Sequence, residues 1–240
     1  MKIIGLIGGM SWESTVTYYQ IINETVKNEL GGFHSAKILM YSVDFSEIEH
    51  YLSTGSWNQS AAVLTDAAKH LEAAGADFIV ICTNTLHKVA PEISRHLSIP
   101  LLHIAEVTAE KLTEAGISTV GLLGTSITMT QGFYADILAK HGINVLVPEG
   151  EDISAVNDII FNELDVGIIR EESRKTSARI IHGLRNRGAQ GIVLGCTELG
   201  LLIRTEDSDL PLFDTAVIHA KEAALAALAE PEEAEEQEKI

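Results

Sequence analysis

Apolar positions along the chain follow two alternating patterns. Short, nearly unbroken runs, KIIGLIGG, AKILMYSVDF, FIVICTNT and PLLHIAEVT, read as buried strands or strand-like segments. Between them the period lengthens. In STVTYYQIINETVKNEL, Val16, Tyr19, Ile22 and Val26 recur three or four apart, which predicts the apolar face of a helix. SAAVLTDAAKHLEAAG predicts a second helix, stopped at Gly75 by the residue type favoured just beyond a helix end. HKVAPEISRHL predicts a short helical piece interrupted at Pro91.

The pattern then restarts. STVGLLGT mirrors KIIGLIGG, with Gly121 in the place of Gly5 and Gly124 in the place of Gly8. Tyr134 follows Gly124 by ten residues, as Tyr18 follows Gly8. ESRKTSARIIHGLRNRG repeats the glycine-stopped helix, and GIVLGCTEL follows it as FIVICTNT follows the first. Gly5 and Cys82 lie 77 residues apart, Gly121 and Cys196 lie 75 apart, so the landmarks imply an internal duplication. Strands alternating with helices through both halves imply the α/β class: two pseudo-symmetric lobes, each a parallel sheet flanked by helices, with an active site in the cleft between them. The expected division is 1–108 for the first lobe and 109–214 for the second, with the changeover between Ile104 and Thr113. A last helix at 215–229 has no counterpart before Gly121 and can pack back onto the first lobe.

Composition narrows the partners. The chain is 46% hydrophobic and 21% charged, as in an ordinary globular protein. Its net charge is −17, of which the tail from Glu230 to Ile240, with six Glu and one Lys, supplies −5. That tail, 230–240, reads as a solvated acidic run. A body at −12 lacks the basic footprint of a nucleic-acid binder and suits no anionic membrane surface. No run approaches the roughly 18 apolar residues of a membrane span. MKIIGLIGGMSWE reads as a first core strand rather than a signal peptide, so a cytoplasmic protein is expected. Two cysteines in that compartment do not suggest a disulfide.

Those two cysteines end the parallel phrases GADFIVICTNT and GAQGIVLGCTEL. In open α/β sheets, ligands gather beyond the carboxyl ends of strands, where both thiols are expected to lie. A helix N-terminus following each lowers a thiol pKa. Pseudo-symmetry then predicts Cys82 and Cys196 on opposite walls of the cleft. One thiolate removing a proton from a chiral carbon, with the other thiol returning one to the opposite face, is the chemistry of stereoinversion. A single Cys reads more naturally as core; the matched pair is what points to chemistry. A zinc site needs three or four close ligands, and nothing completes the beginning that Cys82 and His87 make, so no metal is expected. GLIGGM has the look of a dinucleotide phosphate turn, but its spacing is GxxGG rather than GxGxxG.

With GLIGGMSWEST, CTNTLHKVA and GCTEL together, the chain resembles the aspartate/glutamate racemase superfamily from Lys2 to about Ala229, nearest to the aspartate racemase and broad-specificity amino-acid racemase types. The resemblance implies an isomerase that uses no cofactor (no PLP), is usually a homodimer, and acts on a small amino acid, most naturally aspartate or glutamate. It implies catalytic Cys82 and Cys196. It implies a substrate cradle of Gly9, Met10 and Ser11 in the glycine turn, Thr83, Asn84 and Thr85 in the first cysteine loop, Thr125 in the matching second turn, and Thr197 and Glu198 in the second cysteine loop. Glu198 is suited to the substrate ammonium. Some family members place an Arg in the turn after the second strand. Here SVDFSEIEHY carries Asp44, Glu47 and Glu49 instead, which keeps racemisation of neutral amino acids open. Lys88 and Arg170 read as surface charges, His87 as an assistant to the first thiol, and His103 as structural. Trp12 and Trp57 fit either the cleft border or packing. Other reactions of the superfamily, of the hydantoin racemase, maleate isomerase or decarboxylase kind, and a non-catalytic two-lobed binder remain alternative readings.

Overall fold

The computed structural model describes residues 1–229, so the acidic tail read at 230–240 lies outside the described residues. Strands β1 (Ile4–Gly8), β2 (Ile38–Ser42), β3 (Phe78–Ile81) and β4 (Leu101–Leu102) form a parallel sheet in the order β2-β1-β3-β4. Strands β5 (Thr119–Gly124), β6 (Asn144–Leu146), β7 (Gly191–Gly195) and β8 (Leu212–Asp214) form a second in the order β6-β5-β7-β8. The two halves therefore share one topology: a two-lobed α/β fold.

The central strands are apolar on both sides because helices cover both sheet faces. Side chains alternate between those faces with the strand period of two. In the first lobe Ile7, Ile79 and Ile81 meet Leu64, Ala68 and Leu71 of the helix Trp57–Ala73. Ile4, Leu6, Phe78, Val80 and Cys82 face the other way. They meet Tyr18, Ile22 and Val26 of the helix Trp12–Leu30, and the alanines Ala216, Ala220, Ala223 and Ala227 of the helix Thr215–Leu228. The C-terminal helix thus packs on the first lobe, and its small residues allow the close approach. In the second lobe Ile192, Leu194 and Cys196 meet Ile180, Ile181 and Leu184 of the helix Glu171–Asn186. Val120, Leu122 and Val193 meet Ile104, Ala109 and Leu112 on the opposite face.

One segment differs from its sequence pattern. PLLHIAEVT reads as a strand, yet only Leu101–Leu102 pairs, and His103 caps a helix Ile104–Glu114 through a 3.2 Å hydrogen bond from the Ala105 N–H to Nδ1. Its apolar residues fit a helix face as well as a strand, and burial against β5 and β7 selects the helix.

Candidate active site

Strand register relates the two cysteine loops. Gly5 pairs with Ile79 and Ile7 with Ile81, while Gly121 pairs with Ile192 and Gly124 with Gly195. The Cys82 N–H continues the first ladder by donating to the Ile7 carbonyl at 2.9 Å, which sets Cys82 beside Gly8. With Gly8 matched to Gly124, Cys82 corresponds to Gly195, and Thr83 corresponds to Cys196.

This corrects the expectation that both thiols line the cleft. A one-residue offset turns a strand side chain to the other sheet face. Cys82 is fully buried with Phe78, Val80, Tyr18 and Ala216, and burial pushes its thiol pKa up. At the corresponding Gly195 a Cβ would come within 2.7 Å of the Leu122 side chain, so the second lobe has no room there for a side chain. Thr83 is partly exposed.

The second loop is built around a buried carboxylate. Glu198, 4% exposed, accepts four hydrogen bonds. Oε2 takes the Cys196 thiol at 3.0 Å and the Thr197 hydroxyl at 2.8 Å. Oε1 takes the Ser11 hydroxyl at 2.7 Å and the Ser14 hydroxyl, both from the first lobe. Ser11 is the N-cap of the 19-residue helix Trp12–Leu30, so the carboxylate sits at the positive end of that helix. The turn before it requires glycine: Gly9 has φ +92°, and a Cβ there would collide with the Val43 backbone. The Gly9 N–H donates to Thr15 Oγ1 at 2.9 Å, and Met10 is buried against Ile7 and Ile48.

The first loop repeats the plan with hydroxyls. Thr85, the register equivalent of Glu198, lies 3.1 Å from the Thr125 hydroxyl and 3.3 Å from the Thr128 hydroxyl. Thr125 and Thr128 are the N-cap and third residue after it in the second lobe, as Ser11 and Ser14 are in the first. Each lobe's strand-end loop therefore reaches across to the other lobe's helix start. Asn84 Nδ2 donates to Thr215 Oγ1 at 2.9 Å, and Thr215 donates to the Leu194 carbonyl at 2.7 Å. Asn84 Oδ1 is buried and has no hydrogen-bond partner.

The site is electrostatically one-sided. Burial first, then the charges of Glu198 and Asp165, push the Cys196 thiol well above its usual pKa. Asp165, in the tight turn Leu164–Val166, is raised to about 7 by burial and by the charges of Glu198 and Glu13. Asp214 is raised too, by burial against the lowering effect of the Val217 and Ala216 N–H groups.

The remaining candidates lie elsewhere. His87 Nδ1 is 2.7 Å from the Thr83 carbonyl, and Nε2 accepts from the Ile104 N–H at 3.2 Å. With an N–H at Nε2 and a carbonyl at Nδ1, the ring is neutral with its proton on Nδ1, and it braces the loop backbone rather than a thiol. Burial pushes its pKa well below the ordinary value. Lys88 lies 3.6 Å over the Trp57 ring, Arg170 pairs with Glu163 at 3.8 Å, and Trp12 is 65% exposed beside Ser11. Sequence reasoning missed Ser14, Thr128, Thr215 and Asp165. The spacings S-x-x-S at Ser11 and T-x-x-T at Thr125 were the available signals for the first two. Among the described residues no three His, Cys, Asp or Glu side chains group as metal ligands, and no helix is long and apolar enough to cross a membrane.

Comparisons with known proteins identify relatives of this fold. A family model described as Asp/Glu/Hydantoin racemase matches residues 7–223. The chain is 25% identical over 231 residues to the broad specificity amino-acid racemase RacX of Bacillus subtilis, covering 91% of this chain and 95% of that protein. A crystal structure of a putative Asp/Glu racemase from Yersinia pestis superposes with a TM-score of 0.90 at 54% identity, covering 95% of this chain and 100% of that one. An aspartate racemase homologue from Pyrococcus horikoshii superposes with a TM-score of 0.83 at 35% identity over the same shares. The chain belongs to the Asp/Glu/Hydantoin racemase family.

Proposed function

We propose that this protein is an amino-acid racemase that works without a cofactor, with Cys196 as the proton-transferring group on one wall of the cleft. The observation that carries this reading is the Cys196 thiol, placed just beyond β7 and hydrogen-bonded at 3.0 Å to a carboxylate that both lobes hold. In the free enzyme burial first, and then the neighbouring carboxylates, favour the protonated thiol. A substrate ammonium beside Glu198 offsets that charge and brings the thiolate within reach. The thiolate then takes the Cα proton, and the electron pair left on Cα spreads into the α-carboxylate. The hydroxyls of Ser11, Ser14 and Thr197 donate to Glu198 in the free enzyme, and they can turn to the charge that develops there once the substrate ammonium pairs with Glu198. Asn84 Oδ1, an acceptor without a donor, suits the ammonium.

Inversion needs a proton from the opposite face. The register supports the Thr83 hydroxyl in that role: it gives its proton to Cα and regains one from solvent, while Cys196 returns the proton it took to solvent, so the pair is unequal rather than the two equal thiols expected from the sequence. The test is incubation of purified protein in D2O with each enantiomer of several amino acids. Chiral chromatography follows inversion and mass spectrometry follows deuterium at Cα. Inversion with solvent deuterium is expected, lost in Cys196→Ala. No exchange with any amino acid would rule out a racemase.

A further inference from the structure

Thr215 is fully buried and is the first residue of the helix Thr215–Leu228. Its Oγ1 lies 2.7 Å from the Leu194 carbonyl, which has no proton to give, so the one proton of the hydroxyl goes there. The hydroxyl oxygen is then left only to accept, and Asn84 must meet it with its amide nitrogen, at 2.9 Å. That settles which end of the amide is free: Oδ1 is buried and has no hydrogen-bond donor among the described residues. Asn84 stands between Thr83 and Thr85, the register equivalents of Cys196 and Glu198. Leu194 lies on β7, two residues before Cys196. One hydroxyl therefore ties the first cysteine loop to the strand that leads to the reacting thiol.

The fold itself asks for no hydroxyl at this position. Leu101 pairs with Ile79 and Leu212 with Ile192, so Ile104, the first residue of the helix Ile104–Glu114, is the first lobe's equivalent of Thr215. Both helices are capped by the residue before: His103 accepts from the Ala105 N–H at 3.2 Å, and Asp214 accepts from the Ala216 N–H at 2.9 Å. Ile104 is also fully buried, so an apolar side chain serves where only the helix start matters. We propose that Thr215 is a positioning residue, which holds the Asn84 amide with its oxygen turned to the α-ammonium of the substrate. This rests on the racemase reading, in which Asn84 Oδ1 takes that ammonium. Without the hydroxyl the amide loses the contact that orients it, and it is free to turn its nitrogen to the ammonium, donor against donor.

The test measures heats of binding for aspartate and glutamate against succinate and glutarate, which match them but lack the α-ammonium. The proteins are the wild type, Thr215→Val, Thr215→Ser and Thr215→Cys. Thr215→Val keeps the shape and removes both hydrogen bonds. It is expected to weaken the amino acids by roughly tenfold, the worth of a hydrogen bond to a charged group, and to leave the two diacids within about threefold. Thr215→Ser keeps the hydroxyl and should restore the wild-type ratio of amino acid to diacid. Thr215→Cys, a weaker donor and acceptor, should fall between them, and it carries the comparison if Thr215→Val does not fold. Equal losses for amino acids and diacids, or a Thr215→Ser no better than Thr215→Val, overturn the assignment as a merely structural effect. A wild type that binds the amino acids no better than the diacids also overturns it, because Oδ1 then takes no ammonium. Turnover is read separately, as deuterium at Cα. If no amino acid takes up deuterium, the racemase reading fails, and the affinity ratios still decide the role of Thr215 by the same criteria.

Discussion

The loops at Cys82 and Cys196 share the words Cys-Thr, follow equivalent strands, and reach equivalent helix starts, yet they hold different chemistry. In the second loop the thiol lies on the face that leads to Glu198 and is engaged at 3.0 Å. In the first, the thiol is sealed under the sheet against Tyr18 and the C-terminal helix, and a threonine stands at the matching position. A repeated motif therefore does not guarantee a repeated site. In a strand, one residue of offset exchanges core for cleft.

The largest expected effect separates the two thiols. Cys196→Ala should lower Cα deuterium exchange by about a thousandfold, in the range removed with a positioned acid–base group. Cys82→Ala should leave kcat/KM within about threefold, well under the tenfold that about 1.4 kcal/mol of barrier represents. Equal losses in both variants would restore the symmetric two-thiol site and undo the comparison.

Next comes the carboxylate that the first loop lacks. Glu198→Gln should reduce kcat/KM by about a hundredfold while lowering the Cys196 thiol pKa, because it removes a negative charge from beside the sulfur. The thiolate absorbance near 240 nm, followed against pH in a Cys82→Ala background, reads the second effect independently of turnover. A thiol pKa that rises, or stays where it was, would break the link between Glu198 and Cys196.

Thr83→Cys would sharpen the contrast by giving both loops a thiol in register. The expected outcome is a gain of about tenfold in exchange for the enantiomer that the wild type exchanges more slowly, with little change for the other. Thr83→Val, similar in shape but without a proton to give, should lower inversion more than exchange. A variant in which both fall together would remove Thr83 from the facing wall.

How much of this could be read from residues alone follows from the same offset. Fold class was legible because buried parallel strands are long apolar runs and glycines stop the helices between them. The duplication was legible through Gly5, Gly8 and Tyr18 and their counterparts. The misplacement of Cys82 came from aligning the halves on Cys-Thr. Counted from the shared Gly-Ala instead, Cys82 is seven residues beyond Gly75 and Cys196 is eight beyond Gly188, which aligns Thr83 with Cys196. Asp165 gave no local signal, because its raised pKa comes from burial and from the charges of Glu198 and Glu13, which are distant in sequence.

The two loops also differ in what holds them, which predicts a pH effect. The first is braced by imidazoles: buried His87 on the Thr83 carbonyl, part-buried His103 with its ring centre 4.6 Å away, and buried His219 between Tyr18 and the Leu102 carbonyl. Burial lowers His103 to about 4 and His219 to about 3. In the unfolded chain these groups titrate near their ordinary value, so below about pH 6.5 the unfolded state binds protons that the folded state refuses. Their contribution is complete above about pH 6.5 and is lost as pH falls towards 4 and 3. Asp165, raised to about 7, works in the opposite sense over the same window, so the histidine effect is read as a difference: between about pH 6.5 and 5 the wild-type thermal midpoint should lose ground relative to that of a variant without the imidazole. His103→Asn, which keeps an N-cap acceptor for the Ala105 N–H, supplies that comparison. A slope unchanged in His103→Asn would exclude that residue from the effect.

The smallest effect tests what Cys82 does if it is not a catalyst. It is 0% exposed and packed among Phe78, Val80, Tyr18 and Ala216, so its removal should register as lost packing. Deleting one sulfur from such a site costs about 1 kcal/mol, comparable to the loss of a buried methyl group. In a chain of this size that lowers the thermal midpoint by about 2–4 °C. Cys82→Ser has nearly the same shape but buries a hydroxyl among apolar neighbours, and should cost more than Cys82→Ala. The order Cys, then Ala, then Ser in stability identifies an apolar environment. The order Cys, then Ser, then Ala would indicate a polar partner for residue 82, and with it a thiol that has reached the cleft after all.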